Sequence, residues 1–222
     1  EISCSLVGSE MCIRDSFDMD GTLVDSMPYW KKLAKEYLQL KGICKIQPEV
    51  MEKITPMTIL ESAAYFKKIY GFAPTPEEIA GEVNGLMARH YEEDVPLKEG
   101  VREYLAKLKK RKVRMCVASA TAEHLMKACL KRLGVLEDFE FLLSCETVGA
   151  GKHSPEVYRT AVEKLGAKPE DTAVYEDALH AVETAKKAGF YVAAVYDDNG
   201  KDNWEKISKT ADETILNWED AL

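Results

Sequence analysis

The chain has 222 residues, of which 46% are hydrophobic and 31% are charged, a balance typical of a globular protein with one good-sized domain or a domain with a smaller insert. Its formal net charge of −8 argues against a nucleic-acid partner, because such a partner favours a basic surface. No apolar run approaches the roughly 18 residues that a membrane span needs, so we expect no membrane partner and a cytoplasmic location.

The cysteines and histidines show no sign of a disulfide framework or a zinc site. No CxxC pair occurs, several cysteines sit in apolar stretches, and the four histidines lack zinc-type spacing. We therefore expect buried free thiols in a reducing compartment. The six cysteines are Cys4, Cys12, Cys44, Cys116, Cys129 and Cys145.

The first sixteen residues, EISCSLVGSEMCIRDS, lack the basic start and the continuous apolar middle of a signal peptide. They also predict a poor strand, because Arg14, Asp15 and Ser16 interrupt the place where an apolar run should lead into Phe17. The stretch resembles the translated adapter sequence that occurs at the ends of assembled sequencing data. We therefore expect residues 1–16 to be a non-native leader.

The region 27–96 is predicted to be an all-helical insert, or cap domain, placed just after the first strand. It holds helical patterns and no convincing strand, and Thr75-Pro76-Glu77-Glu78 has the form of a capping box at a helix start. The chain then returns to the core with a helix at 99–112. The helical segments of the insert lie at 28–42, 59–71 and 75–94.

From Val113 onward, short apolar strands alternate with helices of about a dozen residues. This pattern predicts an α/β fold, a Rossmann-like parallel sheet flanked by helices, formed by residues 17–26 and 97–222. Ligands of such sheets bind beyond the carboxyl ends of the strands. The strands are predicted at 113–119, 139–144, 172–176, 191–196 and 213–216, and the helices at 121–134, 154–166, 178–189 and 203–209, with Ser154 capping the second of these helices and Pro155 as its first residue.

The stretch Phe17-Asp18-Met19-Asp20-Gly21-Thr22 places two carboxylates one residue apart. Residues i and i+2 of an extended chain point the same way, so Asp18 and Asp20 can face one small space, with Gly21 permitting a sharp turn. Such a pair needs a cation or a lysine to stabilise its charge, although a surface turn rich in Asp and Gly has the same composition. An EF-hand is excluded by Leu23 and Tyr29, which occupy its glycine and glutamate positions.

Three further segments are predicted to lie at the same rim of the sheet. Ser119-Ala120-Thr121 ends a strand and offers a hydroxyl and free N–H groups to an anion, or simply caps a helix. Lys152 lies in a loop, where a lysine is often only solvated; the surrounding residues Glu146 and His153 exclude a phosphate-binding P-loop. Glu176-Asp177 ends the next buried strand and could equally cap the following helix.

The order of these motifs, DxDGT, strand-Ser, GKHSP and VYED, resembles the haloacid-dehalogenase-like phosphohydrolases, in the helical-cap branch that includes phosphoglycolate phosphatase and beta-phosphoglucomutase. The resemblance covers residues 17 to about 212. The DxDGT, GKHSP and VYED motifs are highly specific together, whereas Ser119 alone is only supportive.

The resemblance implies a role for each matching residue. Asp18 would be the nucleophile that forms an aspartyl-phosphate, and Asp20 the general acid and base. Mg²⁺ would be held by the side chains of Asp18 and Asp177 and by the backbone carbonyl of Asp20, with Glu176 supporting it from behind. The phosphoryl oxygens would be bound by Ser119, the N–H of Ala120, and Lys152.

The sequence therefore predicts a Mg²⁺-dependent phosphatase of a small phosphorylated metabolite, present as a monomer or weak homodimer. A sugar phosphomutase is the nearest alternative. Mutases of this branch carry a histidine where this chain has Trp30 and an arginine in the cap, where only Arg89 occurs, so hydrolysis is favoured. A non-catalytic phosphate-binding module is disfavoured because Asp18, Asp20, Lys152 and Asp177 are all present.

Overall fold

The computed structural model describes residues 14–54 and 57–221. Contacts divide the chain into two compact units. One, the helical unit, is Met27–Asp94; the other, the core unit, consists of the chain up to Ser26 together with the chain from Val95 onward. No helix within these described ranges is both long and apolar enough to cross a membrane.

The core unit contains a six-stranded sheet in which every neighbouring pair is parallel. The strand order is β3-β2-β1-β4-β5-β6, which puts β1 at the centre. This arrangement confirms the predicted parallel sheet. The strands are Arg14–Phe17 (β1), Arg114–Ser119 (β2), Leu142–Ser144 (β3), Thr172–Glu176 (β4), Tyr191–Val195 (β5) and Glu213–Ile215 (β6).

Helices follow the strands because apolar residues on each strand need cover. On one face, alternate residues of the central strands, such as Cys116 and Val174, form a buried cluster with Val157, Val182 and Ile207 from three different helices. The helices of the core unit are numbered from α5, because those of the helical unit precede them in the chain: Val101–Lys110 (α5), Glu123–Arg132 (α6), Cys145–Val148 (α7), Glu156–Lys164 (α8), Leu179–Lys187 (α9) and Trp204–Thr210 (α10).

The opposite face of the sheet carries an aromatic cluster. The rings of Phe17 and Tyr175 stack with centroids 4.2 Å apart, and Trp218 packs beside Tyr104 at 4.9 Å. The indole of Trp218 also donates a hydrogen bond to the carbonyl oxygen of Thr22 at 3.1 Å. This side of the core therefore braces the chain just after β1.

The prediction that residues 14–16 make a poor strand is wrong. They pair with β2 from Arg14 opposite Arg114 and with β4 from Arg14 opposite Thr172. Backbone hydrogen bonds on both sides form whatever the side chains are, and the guanidinium of Arg14 finds the carbonyl oxygen of Leu165 at 3.0 Å. The rest of the predicted leader, residues 1–13, lies outside the described part of the chain.

Asp15 is the residue of β1 that is least expected in a buried strand, because its side chain is acidic. Its side chain is 2% exposed, and within residues 14–54 and 57–221 one of its carboxyl oxygens has a partner, the hydroxyl of Tyr175 at 3.4 Å, while the other has none. Burial raises the pKa of Asp15 to about 8, although the hydrogen bond from Tyr175 opposes this.

Several boundaries differ from those that the sequence predicts. Strand β3 covers only Leu142–Ser144, whereas the predicted strand began at residue 139. Residues 139–141 do not have strand conformation. Helix α8 begins at Glu156 with Pro155 as its N-cap, so Ser154 is not the cap. Among the described cysteines, Cys116, Cys129 and Cys145 are buried free thiols, whereas Cys44 is exposed.

In its described residues, 27–54 and 57–94, the helical unit contains four helices, and the second of them, Pro48–Ile54, was not predicted separately. Both Thr58 and Thr75 form capping boxes, with Glu61 and Glu78 respectively, so the predicted helix start at residue 75 is observed. Apolar side chains from α1, α3 and α4 meet inside this unit. The helices are Met27–Leu40 (α1), Pro48–Ile54 (α2), Ile59–Tyr70 (α3) and Pro76–Glu93 (α4).

Candidate active site

The predicted site residues lie at the carboxyl ends of three adjacent central strands. Asp18 follows β1, Ser119 ends β2 and Glu176 ends β4. Because the strands are parallel, these ends share one edge of the sheet. The amide of Asp18 also donates to the carbonyl oxygen of Tyr175 at 3.0 Å, which fixes the first loop against β4.

Lys152 joins the first and third of these segments. Its Nζ lies 2.5 Å from Oδ1 of Asp18 and 2.7 Å from Oε1 of Glu176, and all three side chains are at most 7% exposed. The hydroxyl of Tyr158 donates a further hydrogen bond to Oε1 of Glu176 at 2.7 Å. The structure thus places the predicted lysine between two of the predicted acids.

The charges in this cluster support one another. Burial lowers the pKa of Lys152, but the nearby carboxylates of Asp18 and Glu176 outweigh burial and raise it, so the lysine stays an ammonium. Burial raises the pKa of Glu176, and the Lys152 ammonium opposes that rise. Each charge therefore offsets part of the hydration that the other loses on burial.

Asp18, Glu176 and Asp177 form a cluster of three buried carboxylates. Each offers one oxygen, and these oxygens lie within 4.8 Å of one another. Burial, followed by the charges of Asp18 and Glu176, raises the pKa of Asp177 well above its ordinary value. A divalent cation would reverse that shift, because it favours the ionised form of all three groups.

Two local features fit a cation in this cluster. Oε2 of Glu176 is buried and has no hydrogen-bond partner among the described residues, and all the available donors are hard oxygen atoms of the kind that Mg²⁺ prefers. Gly21, at φ +76°, leaves room for Asp177, since a Cβ on Gly21 would lie 2.5 Å from Oδ2 of Asp177. The hydroxyl of Thr22 donates to the other oxygen of Asp177 at 3.4 Å.

Asp20 is held apart from this cluster by two hydroxyl groups. The hydroxyl of Ser26 donates to Oδ1 of Asp20 at 2.6 Å, and that of Thr121 donates to Oδ2 at 2.6 Å. Each carboxyl oxygen of Asp20 therefore has a hydroxyl group within hydrogen-bonding distance. The Asp20 side chain is partly exposed, which leaves it open to a reacting group.

The non-helical segment between β2 and α6 is longer than predicted. Helix α6 begins at Glu123 rather than 121, and its N-cap, Ala122, makes no side-chain capping bond. Ser119 therefore does not cap the helix; its buried hydroxyl instead accepts a bond from the amide of Thr121 at 3.3 Å. Ala120 is exposed at this turn.

Three polar side chains that contact the predicted site residues were not identified from the sequence. Ser26 was visible at the end of the first motif region and Thr121 directly after Ser119, but neither carries a charge that would single it out. Tyr158 lies inside α8, where its spacing is that of an ordinary buried residue. Only the folded contacts reveal that it donates to Glu176.

Comparison with known proteins identifies the class to which this fold and site belong. The model of the haloacid dehalogenase-like hydrolase family matches residues 16–195. The chain therefore belongs to the haloacid dehalogenase-like hydrolase family, which confirms the resemblance seen in the motifs.

Individual relatives point to phosphoryl chemistry. The chain is 27% identical over 173 residues to "Phosphorylated carbohydrates phosphatase" of Thermotoga maritima, covering 78% of this chain and 80% of that protein. It is 27% identical over 202 residues to "Beta-phosphoglucomutase" of Bacillus subtilis, covering 81% of each. The crystal structure of a "putative beta-phosphoglucomutase from Thermotoga maritima" matches with a TM-score of 0.79 at 25% identity, over 93% of this chain and 95% of that chain.

Proposed function

We propose that this protein is a Mg²⁺-dependent phosphatase that hydrolyses a small phosphorylated metabolite through an aspartyl-phosphate on Asp18. The observation that carries the proposal is the placement of the Lys152 ammonium between Asp18 and Glu176, beside the carboxylate cluster that includes Asp177. Three separate segments of the chain supply this arrangement. Family membership supports the same chemistry.

In the first half of the reaction, a carboxylate oxygen of Asp18 attacks phosphorus and the bond from phosphorus to the alcohol oxygen breaks. Asp20, in its protonated form, gives its proton to the departing alcohol. A carboxylate is already ionised at neutral pH, so Asp18 needs positioning more than activation. The contact with Lys152 supplies that positioning.

In the second half, Asp20 takes a proton from water as the water oxygen attacks phosphorus. The bond between Asp18 and phosphorus then breaks, which releases inorganic phosphate and restores both carboxyl groups. The two hydroxyl bonds from Ser26 and Thr121 stabilise Asp20 in the ionised form that this step requires.

The phosphoryl group carries its charge on three equatorial oxygens in the transition state. We propose that Ser119, the N–H of Ala120 and Lys152 bind those oxygens. Mg²⁺, held by Asp18, Asp177 and the Asp20 carbonyl with Glu176 behind it, would supply further positive charge.

The substrate class follows from the relatives rather than from any one residue. A phosphatase of phosphorylated carbohydrates is among the most similar proteins, so a sugar or sugar-alcohol phosphate is the proposed substrate. We propose that the helical unit, Met27–Asp94, acts as a cap that excludes water and selects the substrate.

A phosphomutase is the second candidate, favoured by the similarity to beta-phosphoglucomutase. It would need a sugar bisphosphate as activator and would not release phosphate continuously. The residue at the position of the mutase histidine, Trp30, donates its indole N–H to the hydroxyl of Tyr91 at 3.3 Å, and an indole cannot act as an acid or base. This contact favours hydrolysis.

Phosphate release from a panel of sugar phosphates and one aryl phosphate, with and without a chelator, tests the proposal. We expect release that the chelator stops, and a loss of at least roughly 10³-fold in Asp18→Asn. Asp202→Asn, at an exposed aspartate outside the site, is the control and should keep full activity. Turnover by Asp18→Asn, or a rate of phosphate release that the chelator leaves unchanged, would contradict the proposal.

A further inference from the structure

Two histidines from different segments stack beside the proposed site. His153 follows Lys152 directly, and His180 is the second residue of α9, three residues after Asp177. Their ring centroids lie 4.4 Å apart with an interplanar angle of 28°. The sequence showed no pairing of histidines, so this contact is a product of the fold.

The ion pairs of Lys152 with Asp18 and Glu176 fix the end of that side chain, whereas the backbone of its loop is only locally bonded among the described residues. The loop follows Gly149 and includes Gly151, and apart from each glycine and its chain neighbours, no atom among the described residues lies within 4 Å of where a Cβ on either glycine would sit. Its backbone bonds are local, such as the amide of Ser154 to the carbonyl oxygen of Gly151 at 2.9 Å. Glycines widen the range of conformations open to such a loop.

The stack therefore links this loop to a regular element. Helix α9 packs against the sheet through Val182 and Ala185, so the position of His180 is fixed by the core. His153 gains that restraint through ring contact. Aromatic pairs at this separation attract one another beyond simple burial.

The charge state of His180 is consistent with stacking. Burial lowers its pKa, and the neighbouring His153 and Lys152 lower it further, while Asp18 and Glu183 act in the opposite direction. A neutral imidazole can lie against a second ring without charge repulsion.

We propose that the His153–His180 stack is a positioning element for the phosphatase reaction, which keeps the Lys152 loop against α9 and so holds the ammonium between Asp18 and Glu176. The inference rests on the proposed function for its catalytic consequence. The rings act through Lys152 and do not themselves touch the phosphoryl group.

Kinetics of single and double variants test this role. We expect His153→Ala and His180→Ala each to lower kcat by roughly threefold to tenfold with little change in KM, because the charge that Lys152 stabilises is greatest in the transition state. The double variant should be no worse than the worse single one, since either change breaks the stack. His180→Phe should recover most of the activity, because a phenyl ring can stack without a nitrogen atom.

His124→Ala is the matched control, an exposed histidine of α6 outside the stack, and should behave as wild type. Full activity in the alanine variants, additive losses in the double variant, or a loss in His180→Phe equal to that in His180→Ala would each overturn the proposal.

Hydrogen exchange gives a readout that does not depend on turnover. Amides of residues 149–154 should exchange roughly threefold to tenfold faster in His180→Ala than in wild type or His124→Ala. Unchanged exchange would overturn the stack as a restraint. A wild-type protein that released no phosphate while His180→Ala still loosened the loop would instead contradict the proposed function alone.

Discussion

The core unit and the helical unit differ in whether their charged side chains are buried. Among the described residues, every buried charged side chain belongs to the core unit, and most of them lie at the carboxyl edge of the sheet. The ion pairs of the helical unit, such as Lys41–Glu82, remain partly exposed. Buried charge costs stability unless it is paired, so its concentration at one edge indicates a site kept for chemistry rather than for folding.

The largest effect is expected from removing the positive charge of Lys152, which lies among the buried carboxylates of the core unit. Lys152→Met leaves Asp18 and Glu176 facing each other without a positive charge, so we expect at least a hundredfold loss of phosphatase activity, an order-of-magnitude figure. Breaking a buried pair should also lower the free energy of unfolding by roughly 3–5 kcal/mol. Steady-state kinetics and denaturant unfolding measure the two effects.

Lys98→Met is the control for burial alone. Lys98 pairs with buried Asp197 at 2.9 Å in the same unit but outside the carboxylate cluster. The Lys98→Met variant should be less stable than wild type but should keep most of its phosphatase activity. Equal losses of activity in the two variants would show that buried charge at the sheet edge has no special link to chemistry.

The second prediction concerns Asp15, the buried charged residue at the opposite end of β1 from the site. Its folded pKa of about 8 lies above the ordinary value of 3.8, so the folded protein holds a proton that the unfolded chain loses. Its contribution to stability is therefore lost as pH rises from about 4 to about 8. Asp15→Val should raise the free energy of unfolding at pH 7 by about 1–3 kcal/mol.

Unfolding measured at pH 5 and at pH 8 checks this expectation. The advantage of Asp15→Val over wild type should be larger at pH 8. Asp15→Asn, which cannot ionise but stays polar, should lose the pH dependence with a smaller gain. A wild-type protein more stable than both variants at pH 8 would disprove the account.

The smallest effect is predicted in the helical unit, at His90. Its two ring nitrogens lie 2.8 Å from Glu36 and 2.9 Å from Asp94, and its ring packs against Tyr29 at 4.9 Å. Burial lowers the pKa of His90, but the bonds to Glu36 and Asp94 outweigh burial and raise it. The stabilisation is therefore present below pH 6.5, the ordinary pKa, and is lost as pH rises through the raised value.

Because the carboxylate partners are partly exposed, His90→Gln should cost less than about 1 kcal/mol at pH 6 and nothing at pH 9. An NMR titration of the His90 ring and thermal unfolding at both pH values measure this, with His124→Gln as the control. A His90 pKa below its ordinary value would show that the imidazolium is not stabilised by Glu36 and Asp94. The difference between the charged groups of the two units would then be smaller.

The sequence predicted where the candidate site residues lie in the fold better than it predicted the central strand. Asp18, Glu176 and Asp177 could be located because each follows a strand with a clear apolar pattern or a specific motif. Residues 14–16 were missed because their pairing depends on the backbones of β2 and β4, which are distant in sequence. Hydroxyl donors such as Ser26 and Tyr158 were missed for the same reason, since only the folded chain gives them an acceptor.

Trp218 contacts the DxDGT segment that follows β1. Its indole is buried against Tyr104 and is bonded to the carbonyl oxygen of Thr22, inside the DxDGT segment. Fluorescence from an indole responds to the polarity and hydrogen bonding around it. Emission from Trp218 therefore reports on changes in the DxDGT segment and, once the emission of Trp30 and Trp204 is subtracted, can follow ligand or metal binding there without an added label.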